Sequence, residues 1–179
     1  MRDPVNTVVL LGTGLIGSGW AARCLAHGLD VVAWDPDSSA EATLFANVDN
    51  AWPILEEVGL QSGADRSRLR FEPSLEAALS VADYVQENAP DDEALKIKLI
   101  AQADQLLLPD VIIASSSSGI RPSLLQEGAQ YPQRIMIGHP FNPVYLLPLV
   151  EIVGGQATTE DTLRAGGAFY RSLAMRPLL

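Results

Sequence analysis

Three groups of residues in this chain have the types and spacing to do chemistry. The first is Gly12-Thr13-Gly14-Leu15-Ile16-Gly17, the spacing G-x-G-x-x-G, placed directly after the apolar run Val8-Val9-Leu10-Leu11. A second apolar run, Val31-Val32-Ala33-Trp34, ends in Asp35, 18 residues after Gly17. In such a pattern the first glycine makes the turn out of a strand, the second lets the backbone approach a pyrophosphate, and the third lets a helix pack close to the strand. The helix that starts there points unpaired N–H groups and the positive end of its dipole at the phosphates. Asp35 can accept both hydroxyls of an adenosine ribose, and residues 24–65 hold no Lys or Arg to receive a 2′-phosphate, which favours NAD over NADP.

The second group is Ser115-Ser116-Ser117-Ser118-Gly119, after the apolar residues 111–114. The third is His139-Pro140-Phe141-Asn142-Pro143, after residues 135–138, together with Glu151 twelve positions later between Val150 and Ile152. Four serines before a glycine also suit a plain solvated turn, and a histidine before proline also suits a satisfied core position. Glu151 constrains more. Its apolar neighbours imply a buried strand, where a carboxylate is costly unless paired. His139 is its natural partner. A carboxylate on one imidazole nitrogen fixes the tautomer and raises the basicity of the other, which makes a positioned general base. Oxidation of an alcohol by NAD needs such a base for the hydroxyl proton while hydride leaves for the nicotinamide. Ser118 can hydrogen-bond the same oxygen. His27, in the last turn of a helix before Gly28, can favour the carbonyl end of the helix dipole and has no part in this chemistry.

The elements that must carry these groups alternate. Strands are expected at 7–11, 31–34, 69–71, 83–87, 111–115, 135–138 and 149–153. Helices are expected at 15–26, 39–58, 73–80, 91–107 and 122–126, and from the capping residue Thr158 or Thr159 to 173. Pro53 should kink or divide the second helix. Alternation of this kind predicts right-handed crossovers, a doubly wound, mostly parallel α/β sheet of Rossmann type, and ligands at the carboxyl ends of the strands. Residues 174–179 look like the start of a further strand, so the chain is expected to be one NAD-binding domain, 1–179, of a longer two-domain protein.

The composition sets limits on partners. The chain has 179 residues, 47% hydrophobic and 19% charged, with a net charge of −10, and it has no basic patch for nucleic acid. Cys24 is the single cysteine, so no internal disulfide forms. No run is long and apolar enough to cross a membrane, and nothing resembles a signal peptide, so a cytoplasmic location is expected. No metal is expected.

The glycine fingerprint, Tyr84-Val85-Gln86-Glu87-Asn88, the serine cluster, His139-x-x-Asn142-Pro143 and Glu151 together resemble the N-terminal domain of the 3-hydroxyacyl-CoA dehydrogenase superfamily, from Val8 to the last residue. The resemblance implies that His139 is the catalytic base, Glu151 its partner and Ser118 the substrate-binding serine. It also implies that Glu87 touches NAD, with Leu15, Ile16, Lys96 and Ser116 as further cofactor contacts. It further implies a helical C-terminal domain, absent from these 179 residues, that supplies another asparagine and forms a homodimer.

Acyl-CoA members of the superfamily usually carry an aromatic after the histidine and Met-Lys before L-V-E. This chain has Pro140, and Leu147-Pro148 before Leu149-Val150-Glu151. The run from His139 to Glu151 is similar to the branch that oxidises L-carnitine to 3-dehydrocarnitine. The branch of gulonate dehydrogenase and lambda-crystallin shares its two ends but fits less well between them. Family members meet coenzyme A phosphates with lysines after the second strand, whereas residues 40–65 carry acids and no Lys or Arg. The substrate is thus expected to be a small 3-hydroxy acid, with Asn142, Phe141 and Tyr145 beside it. The alternatives are a 3-hydroxyacyl-CoA, L-gulonate, or no turnover at all in an NAD-binding structural module.

Overall fold

Val8 to Leu11 are each 1% exposed or less, although successive side chains of a strand point to opposite faces. Both faces of the sheet must therefore be covered, as in a parallel sheet between two helix layers. The computed structural model describes residues 4–179 and has this architecture. In chain order the elements are β1 (Thr7–Leu11), α1 (Leu15–Ala26), β2 (Asp30–Trp34), α2 (Ala40–Val58), β3 (Leu69–Phe71), α3 (Leu75–Leu79), β4 (Tyr84–Glu87) and α4 (Glu93–Leu106). They continue with β5 (Ile112–Ser115), α5 (Pro122–Leu125), β6 (Ile135–Pro140), β7 (Leu149–Gly154), α6 (Glu160–Ser172) and β8 (Arg176–Leu178).

The sheet runs β3-β2-β1-β4-β5-β6-β7-β8. All neighbours are parallel except β6 and β7. The order reverses between β1 and β4, the switch point where such folds bind dinucleotides. Two cores follow from the strand alternation. Val8 and Leu10 pack with α1, α2 and α6, and Val9 and Leu11 pack with α3, α4 and α5.

The expected elements are present with small shifts at their ends. Caps fix three helix starts: Ser74 accepts from the Ala77 N–H, Asp92 from Leu95 and Thr159 from Thr162. Two expectations are corrected. Of the kink or division expected at Pro53, the division does not occur, since α2 is continuous from Ala40 to Val58. Val48, Ala51, Trp52 and Leu55 are buried on both sides of the proline, and this packing outweighs the lost backbone bond. Nor is Glu151 buried: its side chain is 47% exposed. Only Val150 and Ile152 of β7 face a core, and the face that carries Glu151 and Val153 is open.

Candidate active site

The carboxyl ends of β1, β2 and β4 surround a cavity of about 720 Å³ lined by Gly12, Gly14, Asp35, Asn88, Lys96 and Ser116, among others. Each glycine of the fingerprint has a measurable reason. Gly12 has φ +94°, and a Cβ there would lie 2.8 Å from the Asn88 carbonyl. A Cβ on Gly17 would lie 2.0 Å from the Gly12 oxygen, so the helix is held against the turn by the absence of a side chain. A Cβ on Gly14 would meet nothing within 4 Å. Gly14 borders the cavity, so the space its missing side chain leaves is the space a ligand backbone would enter. Gly14 also gives α1 no side-chain cap, and the first turn of α1 holds no acid. The first N–H groups of that helix are left for an anion.

At the far end of the cavity Asp35 accepts from the Thr13 N–H at 2.9 Å, the Thr13 hydroxyl at 3.1 Å and the Asp37 N–H at 3.0 Å. The turn thus presents a carboxylate with acceptor capacity to spare, since an ionised carboxylate offers about four lone-pair sites. Leu15 and Ile16 form part of the wall, and Leu15 is 68% exposed. The residues present fit a dinucleotide: open space over Gly14, an uncapped helix start and a ribose acceptor at Asp35.

Lys98 and Gln102 of α4 line the same cavity. Lys98 is the cation that the sequence reading of residues 24–65 misses. It comes from the strand–helix unit of β4, which the topology sets beside β1.

Of the other cofactor contacts expected from the sequence, Lys96 and Ser116 line the cavity and Glu87 does not. Glu87 is 0% exposed and is not in the cavity wall. Its carboxylate accepts from Lys96 Nζ at 2.8 Å, the Ala89 N–H at 2.6 Å and the Ser115 hydroxyl at 2.5 Å. It lies directly behind the wall, as the buried partner of Lys96. Lys96, itself 1% exposed, does reach the wall.

Ser116 also reaches the wall, with its hydroxyl fully engaged. Its Oγ accepts from Trp20 Nε1 at 3.1 Å and Gln86 Nε2 at 2.8 Å and donates to Asn88 Oδ1 at 2.7 Å. Gln86 Nε2 also donates to the Gly138 carbonyl at 3.0 Å, and Gln86 Oε1 accepts from the Tyr170 hydroxyl at 2.7 Å. Burial holds Tyr170 above the usual phenol range, so it remains a neutral donor. Gln86 therefore joins the wall residue Ser116 to the strand of His139. This link was not found in the sequence, where a buried glutamine in a strand gives no sign of its partners.

His139 and Glu151 are register partners across β6 and β7. His139 Nδ1 lies 2.9 Å from Glu151 Oε2. The His139 side chain is 26% exposed. With the carboxylate ionised, Nδ1–H donates to it and Nε2 keeps a free lone pair. Ser118 follows the carboxyl end of β5, the parallel neighbour of β6, and is exposed. Its hydroxyl makes no hydrogen bond to any described residue.

Beyond the histidine, Phe141 lies with its ring centroid 5.7 Å from the imidazole, and Asn142 is exposed. The next segment folds onto α1, where Val144 is fully buried against Gly19 and donates no bond but accepts one from Arg23 Nη1 at 3.1 Å. Tyr145 is partly buried and packs against the core of α1, α2 and α6.

Comparison with known proteins identifies relatives over nearly the whole chain. The family "3-hydroxyacyl-CoA dehydrogenase, NAD binding domain" matches residues 7–179. An L-carnitine dehydrogenase of Burkholderia mallei is 54% identical over 174 residues, which cover 97% of this chain and 54% of that protein. One of Bacillus cereus is 47% identical over 178 residues, covering 99% of this chain and 55% of that protein. The chain thus spans about half the length of the curated relatives it matches. Among solved structures, an (S)-3-hydroxybutyryl-CoA dehydrogenase of Ralstonia eutropha superposes with a TM-score of 0.89 at 30% identity, over 98% of this chain and 63% of that one.

Proposed function

Since the chain belongs to the 3-hydroxyacyl-CoA dehydrogenase family, as its NAD-binding domain, we propose that it serves the NAD-dependent oxidation of a small 3-hydroxy acid, L-carnitine to 3-dehydrocarnitine. The observation that carries the chemistry is the His139–Glu151 pair at 2.9 Å, on the carboxyl side of the sheet that also bears the dinucleotide cavity. NAD, when bound, supplies the hydride acceptor. Gly12, Gly14 and the start of α1 would hold its diphosphate, and Asp35 its adenosine ribose.

His139 Nε2 takes the proton of the substrate hydroxyl as the carbinol hydrogen leaves with its electron pair, and the C–O bond becomes a carbonyl. Glu151 holds the imidazole in the tautomer that can accept and stabilises the imidazolium that forms. Ser118, with a free hydroxyl, binds the same substrate oxygen. Phe141 and Asn142 line the approach.

The small substrate is favoured over an acyl-CoA because residues 40–65 offer no cation to coenzyme A phosphates, and because the relatives of high identity are named for L-carnitine. The same reading places the reaction in carnitine metabolism in the cytoplasm. It includes residues 1–179 as one domain and a homodimer assembled through a helical domain.

The test is turnover by this chain joined to the remaining C-terminal part of the Burkholderia mallei enzyme. Reduced cofactor should form with L-carnitine in preference to L-gulonate and 3-hydroxybutyryl-CoA. Preference for the thioester would replace the carnitine reading with the acyl-CoA one.

A further inference from the structure

Backbone pairing holds His139 on one side only. β7 runs beside it through the pairs His139–Glu151 and Pro140–Val150. The pairing of β5 with β6 ends at Ser115 and Ile137, two residues before the histidine. The peptide unit between Gly138 and His139 lies beyond that end, and its carbonyl accepts from a side chain, Gln86 Nε2, at 3.0 Å. Gln86 belongs to β4, one strand further away. It is level with Ala114 of β5, which is level with Met136 of β6. Its amide thus crosses a whole strand, past an alanine, to reach Gly138.

The direction of this amide is fixed. The Gly138 carbonyl can only accept, so the nitrogen faces it, and the second proton of that nitrogen goes to Ser116 Oγ at 2.8 Å. Gln86 Oε1 accepts from the Tyr170 hydroxyl at 2.7 Å. That hydroxyl stands where a side chain of residue 138 would be, since a Cβ on Gly138 would lie 1.8 Å from it. Gln86 is 1% exposed, so bulk water does not replace a lost bond. Both donors and the acceptor of one buried amide are in use. They tie the cavity wall at Ser116 to the backbone that carries His139.

We infer that Gln86 is a positioning residue, whose amide fixes the place of His139 relative to the cofactor wall at Ser116. The inference rests on the reading of His139 as the base of an NAD-dependent oxidation. In that reaction the proton and the hydride leave one carbinol, so base and cofactor must meet on the same small substrate. The register of β6 and β7 sets His139 against Glu151 but not against the wall. The Gln86 amide supplies that second constraint. A misplacement of about 1 Å in such a geometry can cost on the order of 10²-fold in rate.

The test compares Gln86→Met with Tyr170→Phe. Gln86→Met keeps the length of the side chain and removes both donations. Tyr170→Phe leaves Gln86 Oε1 without its partner but keeps both donations. Each leaves a buried polar group unpaired, so both should lower the melting temperature. In the chimera with the Burkholderia mallei C-terminal part, Gln86→Met should lower kcat about 10²-fold, with KM and NAD affinity little changed. Tyr170→Phe should keep kcat near that of the parent. The double variant removes both partners of the Gln86–Tyr170 bond, which costs less stability than removing one, and should lose kcat as Gln86→Met does. In this chain alone, the His139 imidazole should give one set of NMR signals in the parent and in Tyr170→Phe, and several in Gln86→Met, with His27→Gln telling the two histidines apart. Equal losses of kcat in Gln86→Met and Tyr170→Phe, a parent-like kcat in Gln86→Met or the double variant, or a single set of His139 signals in Gln86→Met overturns the inference. A parent chimera that reduces NAD with none of L-carnitine, L-gulonate and 3-hydroxybutyryl-CoA overturns the reading of the base instead, and the imidazole signals then decide whether Gln86 holds His139.

Discussion

His139 and Glu151 face each other across the only antiparallel pairing among the described residues, with Nδ1 and Oε2 2.9 Å apart. Strand register, more than side-chain freedom, sets this contact. A one-residue slip would send Glu151 to the opposite face of the sheet. In the chimera with the Burkholderia mallei C-terminal part, His139→Ala should lower turnover by about 10²–10⁴-fold, the usual contribution of a general base. NAD affinity should hardly change. Glu151→Gln should slow turnover less, because the imidazole keeps a hydrogen-bond partner but the imidazolium loses its counter-charge. Near-normal turnover in His139→Ala would refute the assignment.

Gly14 and Gly17 should both lose NAD when changed to alanine, but for different reasons. Gly14→Ala adds a methyl that meets no protein atom within 4 Å, on a backbone at φ −64° and ψ −162° that alanine accepts. Its melting temperature should match the parent, since such changes stay within about 0.5 kcal/mol, while NAD binding falls sharply. Gly17→Ala sets a methyl 2.0 Å from the Gly12 oxygen. It should lose stability on the order of 1–3 kcal/mol, as overpacked sites do, and lose NAD with it. Thermal melts with and without NAD separate the two.

Cofactor choice turns on Asp35 and Lys98, which border the same cavity. Asp35 repels a 2′-phosphate and binds ribose hydroxyls, so NAD should bind well ahead of NADP by calorimetry. Asp35→Ala should weaken NAD roughly 10–100-fold, the loss of hydrogen bonds to a charged group at about 1.5–3 kcal/mol, and narrow the gap to NADP. Adding Lys98→Ala should then reduce NADP binding again, because Lys98 is the cation left to meet the extra phosphate. Equal affinity for both cofactors in the parent would sink this account.

The parts of the site that could be read from sequence are those fixed by local sterics or by register. Gly12, Gly14 and Gly17 follow one strand and open one helix, so their tasks depend on a few neighbouring atoms. The His139–Glu151 pair could be anticipated because adjacent strand ends had to bring them together. What was not legible depends on which helix covers which face. Glu151 was expected to be buried, because Val150 and Ile152 flank it, but those two point to the other side of the sheet. The bonds of Glu87 to Lys96 and Ser115 were not legible either, since they join three different elements. Lys98 and the Ser116–Gln86–Tyr170 bonds join residues far apart in the chain, and only the strand order makes them neighbours.

His27 predicts a pH effect on stability. Its Nδ1 lies 2.8 Å from the Arg23 carbonyl, at the end of α1. Burial lowers its pKa below the usual histidine value. The Arg23 carbonyl bond opposes this, and the Arg23 charge adds to it. The helix dipole, which would favour the cation, is outweighed. The unfolded chain therefore takes up this proton at a higher pH than the folded one. The stabilisation is complete above the unfolded value of about 6.5 and is lost as the pH falls through that value toward the folded one. Urea midpoints should drop between about pH 7.5 and pH 5.5, a window that spans that unfolded value, and His27→Gln should flatten the drop. An unchanged slope in the variant would exclude His27 as its source.

The cationic group of the proposed substrate, L-carnitine, should be read by Phe141 and not by Tyr145. A trimethylammonium has no N–H to donate, so it is attracted to the face of an aromatic ring, by about 0.5–2 kcal/mol. The Phe141 ring lies 5.7 Å from the His139 ring, within one small substrate of the base. Tyr145 packs against the α1-side core beside the fully buried Val144. In the chimera, Phe141→Leu keeps the apolar bulk and removes the π face. It should raise KM for L-carnitine by roughly 2–30-fold, the fold-change that matches that energy. The lower activity with 3-hydroxybutyrate, which has the hydroxyl and carboxylate but no ammonium, should barely change. Tyr145→Phe keeps the packing and removes only a hydroxyl, so it should leave the ratio of the two substrates near that of the parent. If Tyr145→Phe shifts the ratio and Phe141→Leu does not, the ammonium is held on the other side of the loop. If neither does, no aromatic of this loop holds it.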